Sequence, residues 1–341
     1  MQPFQFSRTG DLQSARSAHH LADAREIDAA RSPSQYLAGG TTLIDLMKLG
    51  VMRPDRVVDI NDLARTDAGR IEFGGNRLRL GALARMSTVA DHPDVRRDFP
   101  VIAQSLQLAA SAQIRNMASL GGNVLQRTRC SYFRDTSYSN CNKRDPGSGC
   151  AALDGINRSH AVLGTSERCI ATYPGDFAQA LIALDAQMEV AGRNGTREFP
   201  FVNLHRQPGQ NPHLETTLAP GELITAFRIT RAPFTRRSLY LKVRDRESYE
   251  FALASAAVAV DLNGDTVKQV RIALGGVATV PWRAHEAEAS LINQQLDETA
   301  LRRAADLAFA DARPHEQNAF KVELGKRTLM RALRQAGAME I

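Results

Sequence analysis

Gln35-Tyr-Leu-Ala-Gly-Gly-Thr-Thr-Leu-Ile-Asp-Leu-Met-Lys48 joins a short apolar run to Gly39-Gly40, Thr41-Thr42 and a helix-forming segment from Leu43 to Lys48. A strand that enters a glycine turn and leaves as a helix lets backbone approach a ligand closely. The N–H groups that begin the helix have no partner within it, so the unit suits a phosphate. The same pattern also serves as a purely structural turn, because glycine is the usual residue at strained dihedrals. By itself the stretch names no ligand.

Outward from this unit, residues 12–31 are predicted as an amphipathic helix with Leu12, Ala15, Ala18, Leu21 and Ile27 on one face. Arg56 to Ile60 is a predicted strand, and Arg70 to Phe73 and Arg77 to Leu80 alternate as strands about Gly74-Gly75-Asn76. A helix with proline near its start covers Pro100 to Ala110. It leads to a second glycine-bearing segment, Gln113-Ile-Arg-Asn-Met-Ala-Ser-Leu-Gly-Gly-Asn-Val124. Asp176 stands at the N-cap of an apolar helix from Phe177 to Leu184, and Gln187 to Val190 pairs with Thr196 to Phe201 as a hairpin. Beyond about residue 235 come strands at Leu239 to Val243, Ser255 to Leu262 and Val267 to Leu274, then helices near 283–292, 297–310 and 315–336. Strands followed by helices indicate a separate α+β unit. We place a linker at Thr230 to Arg237.

The chain has 341 residues, 43% hydrophobic and 23% charged, with a net charge of +6. That length predicts two or three domains. No run reaches the eighteen or so apolar residues that span a bilayer, so membrane insertion is not expected. The first residues lack a charged region followed by an apolar one, predicting no secretory signal of the chain's own. No Lys/Arg stripe with interleaved aromatics points to nucleic acid.

All four cysteines, Cys130, Cys141, Cys150 and Cys169, fall in one window. Ten, eight and eighteen residues separate them, which lacks the close Cys-x2–4-Cys pair usual for zinc. Two disulfides and an iron–sulfur cluster, which needs one thiolate per iron, are the other readings. Arg127, Arg129, Lys143, Arg144 and Arg168 supply nearby positive charge. His19-His20, His160, His205 and His213 show no ligand spacing and are read as surface or polar-core residues. No Ser-His-Asp or paired-carboxylate arrangement emerges, so no catalytic residue is assigned.

Four landmarks in order resemble the FAD-binding subunits of the molybdenum hydroxylases: Leu37 to Asp45, Gln113 to Asn123, Gly175-Asp176 before an alanine- and leucine-rich helix, and Ala273-Leu-Gly-Gly-Val-Ala278 with Pro281. The cysteine window inserts about fifty residues between Asn123 and Asp176. It resembles the insertions of 4-hydroxybenzoyl-CoA reductase and, more closely, of the bacterial periplasmic aldehyde oxidoreductase flavin subunit.

The resemblance implies an α+β chain of the type-2 FAD-binding (PCMH/VAO-like) two-subdomain fold. The subdomains would cover residues 1–60 and 61–232, with a cysteine-bearing insertion at about 124–173, before a C-terminal α+β domain at 236–341. It implies FAD held by Leu37, Ala38, Gly39, Gly40, Thr41, Thr42 and Leu43, and along its other side by Arg115, Asn116, Ser119, Gly122, Asn123 and Leu125. Arg115 also reads as a scaffold residue. Asp176 would meet a ribityl or ribose hydroxyl, or simply cap its helix. Ile224 and Lys242 would approach the isoalloxazine, Lys242 reading equally as a surface lysine. Cys130, Cys141, Cys150 and Cys169 would hold a [4Fe–4S] cluster. Partners would be a large molybdopterin-binding subunit, a small [2Fe–2S] subunit and an external electron acceptor; Arg244 to Phe251 occupies the region where relatives that use NAD receive it. Export to the periplasm with a signal-bearing partner is expected, the cytoplasm being the alternative. A CoA-thioester reductase subunit with inward electron flow and a zinc-stabilised binding module are the competing functions.

Overall fold

The computed structural model describes residues 1–18 and 31–341. The predicted first helix is present over Leu12–Ala18. Leu21, Ile27 and His19-His20 lie outside the described residues.

Strands β1 (Gln5–Arg8), β2 (Ser34–Leu37) and β3 (Arg56–Asp59) form a parallel sheet in the order β1-β3-β2. A parallel sheet needs cover on both faces, and successive residues of β3 supply it. Val58 packs with Ala15 and Leu63, whereas Val57 packs with Leu46, Met47 and Met52. The helix Leu43–Lys48 thus closes one face, which sets the glycine turn before it at the sheet's end.

Strands β4 (Ile71–Gly74), β5 (Arg77–Gly81), β6 (Gln187–Gly192), β7 (Gly195–Pro200) and β8 (Leu223–Thr230) form an antiparallel sheet in the order β4-β5-β8-β6-β7. Both predicted hairpins are present, with Gly75 and Gly195 at positive φ in their turns. The central strand β8, which joins them through Leu80↔Phe227 and Met188↔Phe227, was not among the predicted strands. Its sequence, LITAFRIT, is nearly all buried and lacks the polar–apolar alternation of a half-exposed strand. The expected linker is packed: helix Pro233–Arg236 buries Phe234 and Thr235.

Strands β9 (Ser238–Val243), β10 (Ala254–Asn263), β11 (Thr266–Gly275) and β12 (Trp282–Arg283) form a third, antiparallel sheet, with Gly264 at φ 59° between β10 and β11. Its faces differ in side-chain size. Val258, Val260, Val267, Val270, Ile272 and Leu274 pack on helices His285–Leu291, Glu298–Ala308 and Phe320–Gly337. Ala257, Ala259 and Ala273 face helices Pro100–Gln107 and Phe177–Ala183 and share the middle core. Small residues on that face bring the helices close, so the C-terminal sheet forms a wall of the middle unit. Ala257→Leu should overpack this seam and cost about 1–3 kcal/mol, read as a lower urea midpoint; an unchanged midpoint would show that the seam has room.

Candidate functional site

Two clefts meet over the glycine turn. The first, about 1280 Å³ of open volume, is lined in part by Ala38, Gly39, Gly40, Leu43, Ser119, Gly122 and Leu125. The second, about 860 Å³, is lined in part by Asn123, Asp176, Lys242, Arg246 and Tyr249. Thr41, Thr42 and Gln126 line both. The arrangement suits a long dinucleotide that crosses Thr41-Thr42 near its middle.

The turn is built by close backbone approach. A Cβ on Gly39 would lie 2.1 Å from the Met117 carbonyl oxygen, and Gly40 has φ +73°. Asp59 holds Asn61, whose amide donates to the Ala38 carbonyl at 2.9 Å. Arg85 donates to Asn61 Oδ1 at 3.0 Å and also to the Met117 carbonyl. This Asp59–Asn61–Arg85 clamp positions both glycine-bearing segments and went unread in the sequence. Ser119 caps helix Leu120–Val124 by accepting from the Gly122 N–H. Thr42 makes no such cap bond on its own helix. Asn123 Oδ1 is buried with no partner among the described residues, although an isolated buried amide oxygen is costly.

Asp176 stands at the N-cap of helix Phe177–Ala183, but its side chain makes no cap hydrogen bond. It accepts from Tyr240 Oη at 2.6 Å and from Lys242 Nζ at 2.8 Å. Tyr240 also shares a 2.9 Å hydrogen bond with Ser255. Burial, then the Asp176 carboxylate, keep the tyrosine hydroxyl protonated, well above its ordinary pKa. Lys242 is no surface residue: its side chain is 1% exposed. Its Nζ also donates to the Leu108 carbonyl at 3.1 Å, which leaves a third donor for the cleft.

Four residues expected at the cofactor, Arg115, Asn116, Ile224 and Leu37, do not line either cleft. Arg115 donates to the Ala109 and Ala110 carbonyls, bracing the end of helix Pro100–Gln107 where Ala110 takes φ 49°. Asn116 is exposed, because helix Ala112–Met117 turns it away from the clefts. Ile224 is 3% exposed on β8 and belongs to the middle core. Leu37 packs beside the turn rather than lining a cleft.

The four cysteines line one small hollow of about 290 Å³ with Tyr132, Phe133, Lys143 and Arg168. Cys141 pairs with Cys150 as a backbone bridge. None forms a disulfide. Among the described residues no three His, Cys, Asp or Glu side chains form a group that could hold a metal ion. Burial pushes the Cys130 thiol up to about 12 and Cys169 to about 11, and raises Cys150 as well. His160, expected at the surface or in a polar core, is buried with Nε2 3.2 Å from Cys130 Sγ. Burial and then Lys321 push its pKa down to about 4. Of the expected nearby cations, Arg127 and Lys143 pair with Glu215, Arg129 pairs with Asp45, and Arg144 donates to the Tyr132 and Phe133 carbonyls.

Asp45 binds Arg129 at 3.1 Å and Arg134 at 2.9 Å, tying the cysteine segment to the glycine-turn helix. Burial opposes ionisation of both Asp45 and Glu215, yet their basic partners outweigh it and hold both pKa values below the ordinary carboxylate range. Depressed values mean that the stabilisation is complete above the ordinary range and is lost as pH falls through the folded values. Acidification below about pH 4 should therefore open residues 126–173 to pepsin before the rest of the chain; simultaneous cleavage everywhere would refute this. Gly39→Ala should lower flavin retained per chain several-fold with unchanged far-ultraviolet circular dichroism. Full retention would mean that the Gly39–Met117 contact does not shape the cleft.

Residues 11–231 match the FAD binding domain in molybdopterin dehydrogenase, and residues 239–336 match the CO dehydrogenase flavoprotein C-terminal domain. The aldehyde oxidoreductase FAD-binding subunit PaoB of Escherichia coli (strain K12) is 46% identical over 314 residues, covering 92% of this chain and 94% of that protein. The glyceraldehyde dehydrogenase medium chain of Sulfolobus acidocaldarius is 24% identical over 87% of each. In fold, the chain matches a solved carbon monoxide dehydrogenase from Hydrogenophaga pseudoflava with a TM-score of 0.74 and 24% identity, covering 99% of this chain and 98% of that one. Among the described residues no helix is long and apolar enough to cross a membrane. With an FAD-binding domain and a CO-dehydrogenase-type C-terminal domain spanning most of its length, the chain belongs to the FAD-binding subunits of the molybdenum hydroxylases, as an oxidoreductase subunit of the aldehyde oxidoreductase and carbon monoxide dehydrogenase family.

Proposed function

We propose that this chain is the FAD and [4Fe–4S] electron-transfer subunit of a heterotrimeric, molybdenum-containing aldehyde oxidoreductase. It would receive electrons from a small [2Fe–2S] partner, with substrate oxidised on a large molybdopterin partner, and deliver them to an external acceptor. Its location would be the periplasm, reached with a signal-bearing partner. The observation that carries the reading is the 46% identity to the Escherichia coli aldehyde oxidoreductase flavin subunit across 92% of the chain.

FAD supplies the exchange between one-electron and two-electron transfer. The chain's own residues do the rest. Gly39 and Gly40 let the turn pack against Met117 and take its positive φ, which brings backbone to the clefts, and Thr41 and Thr42 line both. Asn123 Oδ1, unpaired among the described residues, presents an acceptor in the second cleft. Lys242, fixed by Asp176, offers a cation to a polar edge in the second cleft.

For the cluster, the donor set supports the reading. Four thiols line one hollow, and the buried apolar cluster made wholly within this segment is small, Tyr132, Ala152 and Ile170. A segment with so little core is suited to a metal staple. A tetrahedral zinc with Zn–S of about 2.3 Å needs its sulfurs about 3.8 Å apart at one point. A [4Fe–4S] cluster instead takes each thiolate on a different iron, which suits four cysteines spread over long, irregular loops.

The test is the intact complex, purified with its partners and analysed for flavin, iron, sulfide and zinc. One FAD and four iron per copy of this chain, above the iron of the partner, are expected, with aromatic aldehydes bleaching the flavin anaerobically. Zinc without flavin would overturn the redox assignment. Bleaching by reduced ferredoxin but not by aldehydes would favour a CoA-thioester reductase.

A further inference from the structure

The [4Fe–4S] reading leaves one side chain beside the hollow without a role. His160 comes from the loop between Cys150 and Cys169, and its Nε2 lies 3.2 Å from Cys130 Sγ. The ring is buried, tilted 40° against Tyr132 at 6.3 Å between centroids. Nδ1 is buried and has no partner among the described residues.

The backbone around His160 is held from a distant part of the chain. Its N–H donates to the Asn157 carbonyl at 2.9 Å. Its carbonyl accepts from Lys321 Nζ at 3.0 Å and from Asn318 Nδ2 at 3.4 Å. Lys321 and Asn318 are themselves fully buried. Three anchors on the backbone of one residue are more than a space-filling ring requires. They hold in place the backbone from which the imidazole reaches Cys130.

A neutral imidazole carries one N–H. A proton on Nδ1 would be a buried donor with nothing to bond, whereas on Nε2 it meets the Cys130 sulfur, so the Nε2–H tautomer is favoured. We infer that His160 is a positioning residue for the iron–sulfur centre, donating an Nε2–H···Sγ hydrogen bond to Cys130 that raises the reduction potential of the cluster. A donor at a ligand sulfur draws off electron density and favours the reduced, more negative state, and hydrogen bonds to sulfur are among the factors that set such potentials. The inference rests on the cluster assignment proposed above.

The experiment uses the intact complex carrying His160→Phe or His160→Gln. Iron and sulfide are measured first, then an electron paramagnetic resonance redox titration follows the signal that Cys150→Ser abolishes. Phenylalanine keeps the ring without a donor; glutamine restores an N–H. We expect full iron in both. The reduction equilibrium should shift about tenfold toward the oxidised form in His160→Phe, about 59 mV for a one-electron couple, and recover at least in part in His160→Gln. An unchanged potential in His160→Phe at full iron overturns the inference. If His160→Phe loses iron, His160→Gln decides: full iron with a near-normal potential supports the hydrogen bond, and lost iron there assigns His160 to packing instead. Absence of the cluster from the unmodified complex would be a failure of the cofactor assignment, which the iron analysis reports separately.

Discussion

Asp176 places a carboxylate, nearly sealed from water, at the seam where the middle helices meet the third sheet. Such a charge is costly to bury unless paired and hydrogen-bonded. Tyr240 and Lys242 meet that requirement from alternate positions of β9, and Lys242 in turn holds the Leu108 carbonyl at the end of helix Pro100–Gln107. The energetic value of the pair is secondary to its geometry. Moving any member leaves a charge or a carbonyl unpaired, so the wall of the second cleft is held in one place. The alanine face of the third sheet makes this possible, because only small side chains let β9 and β10 approach the helices closely enough for these bonds.

The cysteine segment depends on its neighbours in a similar way. Its own apolar cluster is small, and it borrows stability from three directions. Asp45 grips Arg129 and Arg134 from the first unit, Glu215 grips Arg127 and Lys143, and Asn318 and Lys321, in the turn before the last helix and in that helix, hold the backbone at Ser159 to Ala161. Val162 and Leu163 add backbone bonds to Val277. Asp45 belongs to the glycine-turn helix, so the hollow with the four thiols and the cleft over the turn share one structural element.

Much of this was legible in local chemistry. Glycine pairs, hairpin turns such as Asn263-Gly264 and the crowding of every cysteine into one window are short-range signals that survive without tertiary context. The strand β8 was missed because a fully buried strand has no alternation to display. Arg115 and Ile224 were placed at the cofactor by analogy of segment, whereas their side chains serve the scaffold and the core. The Asp59–Asn61–Arg85 clamp and the His160–Cys130 contact join residues 24 to 30 positions apart that no motif links.

The sequence by itself determined the order of units, the two glycine-bearing segments and the presence of a four-thiol window, because each rests on residue type and spacing along the chain. Tertiary structure alone decided that the thiols share one hollow, that Lys242 is buried against Asp176 instead of solvated, and that His160 turns its Nε2 toward sulfur. Those outcomes depend on which side chains lose their water to a distant segment, and desolvation is a property of packing in three dimensions that residue order does not display.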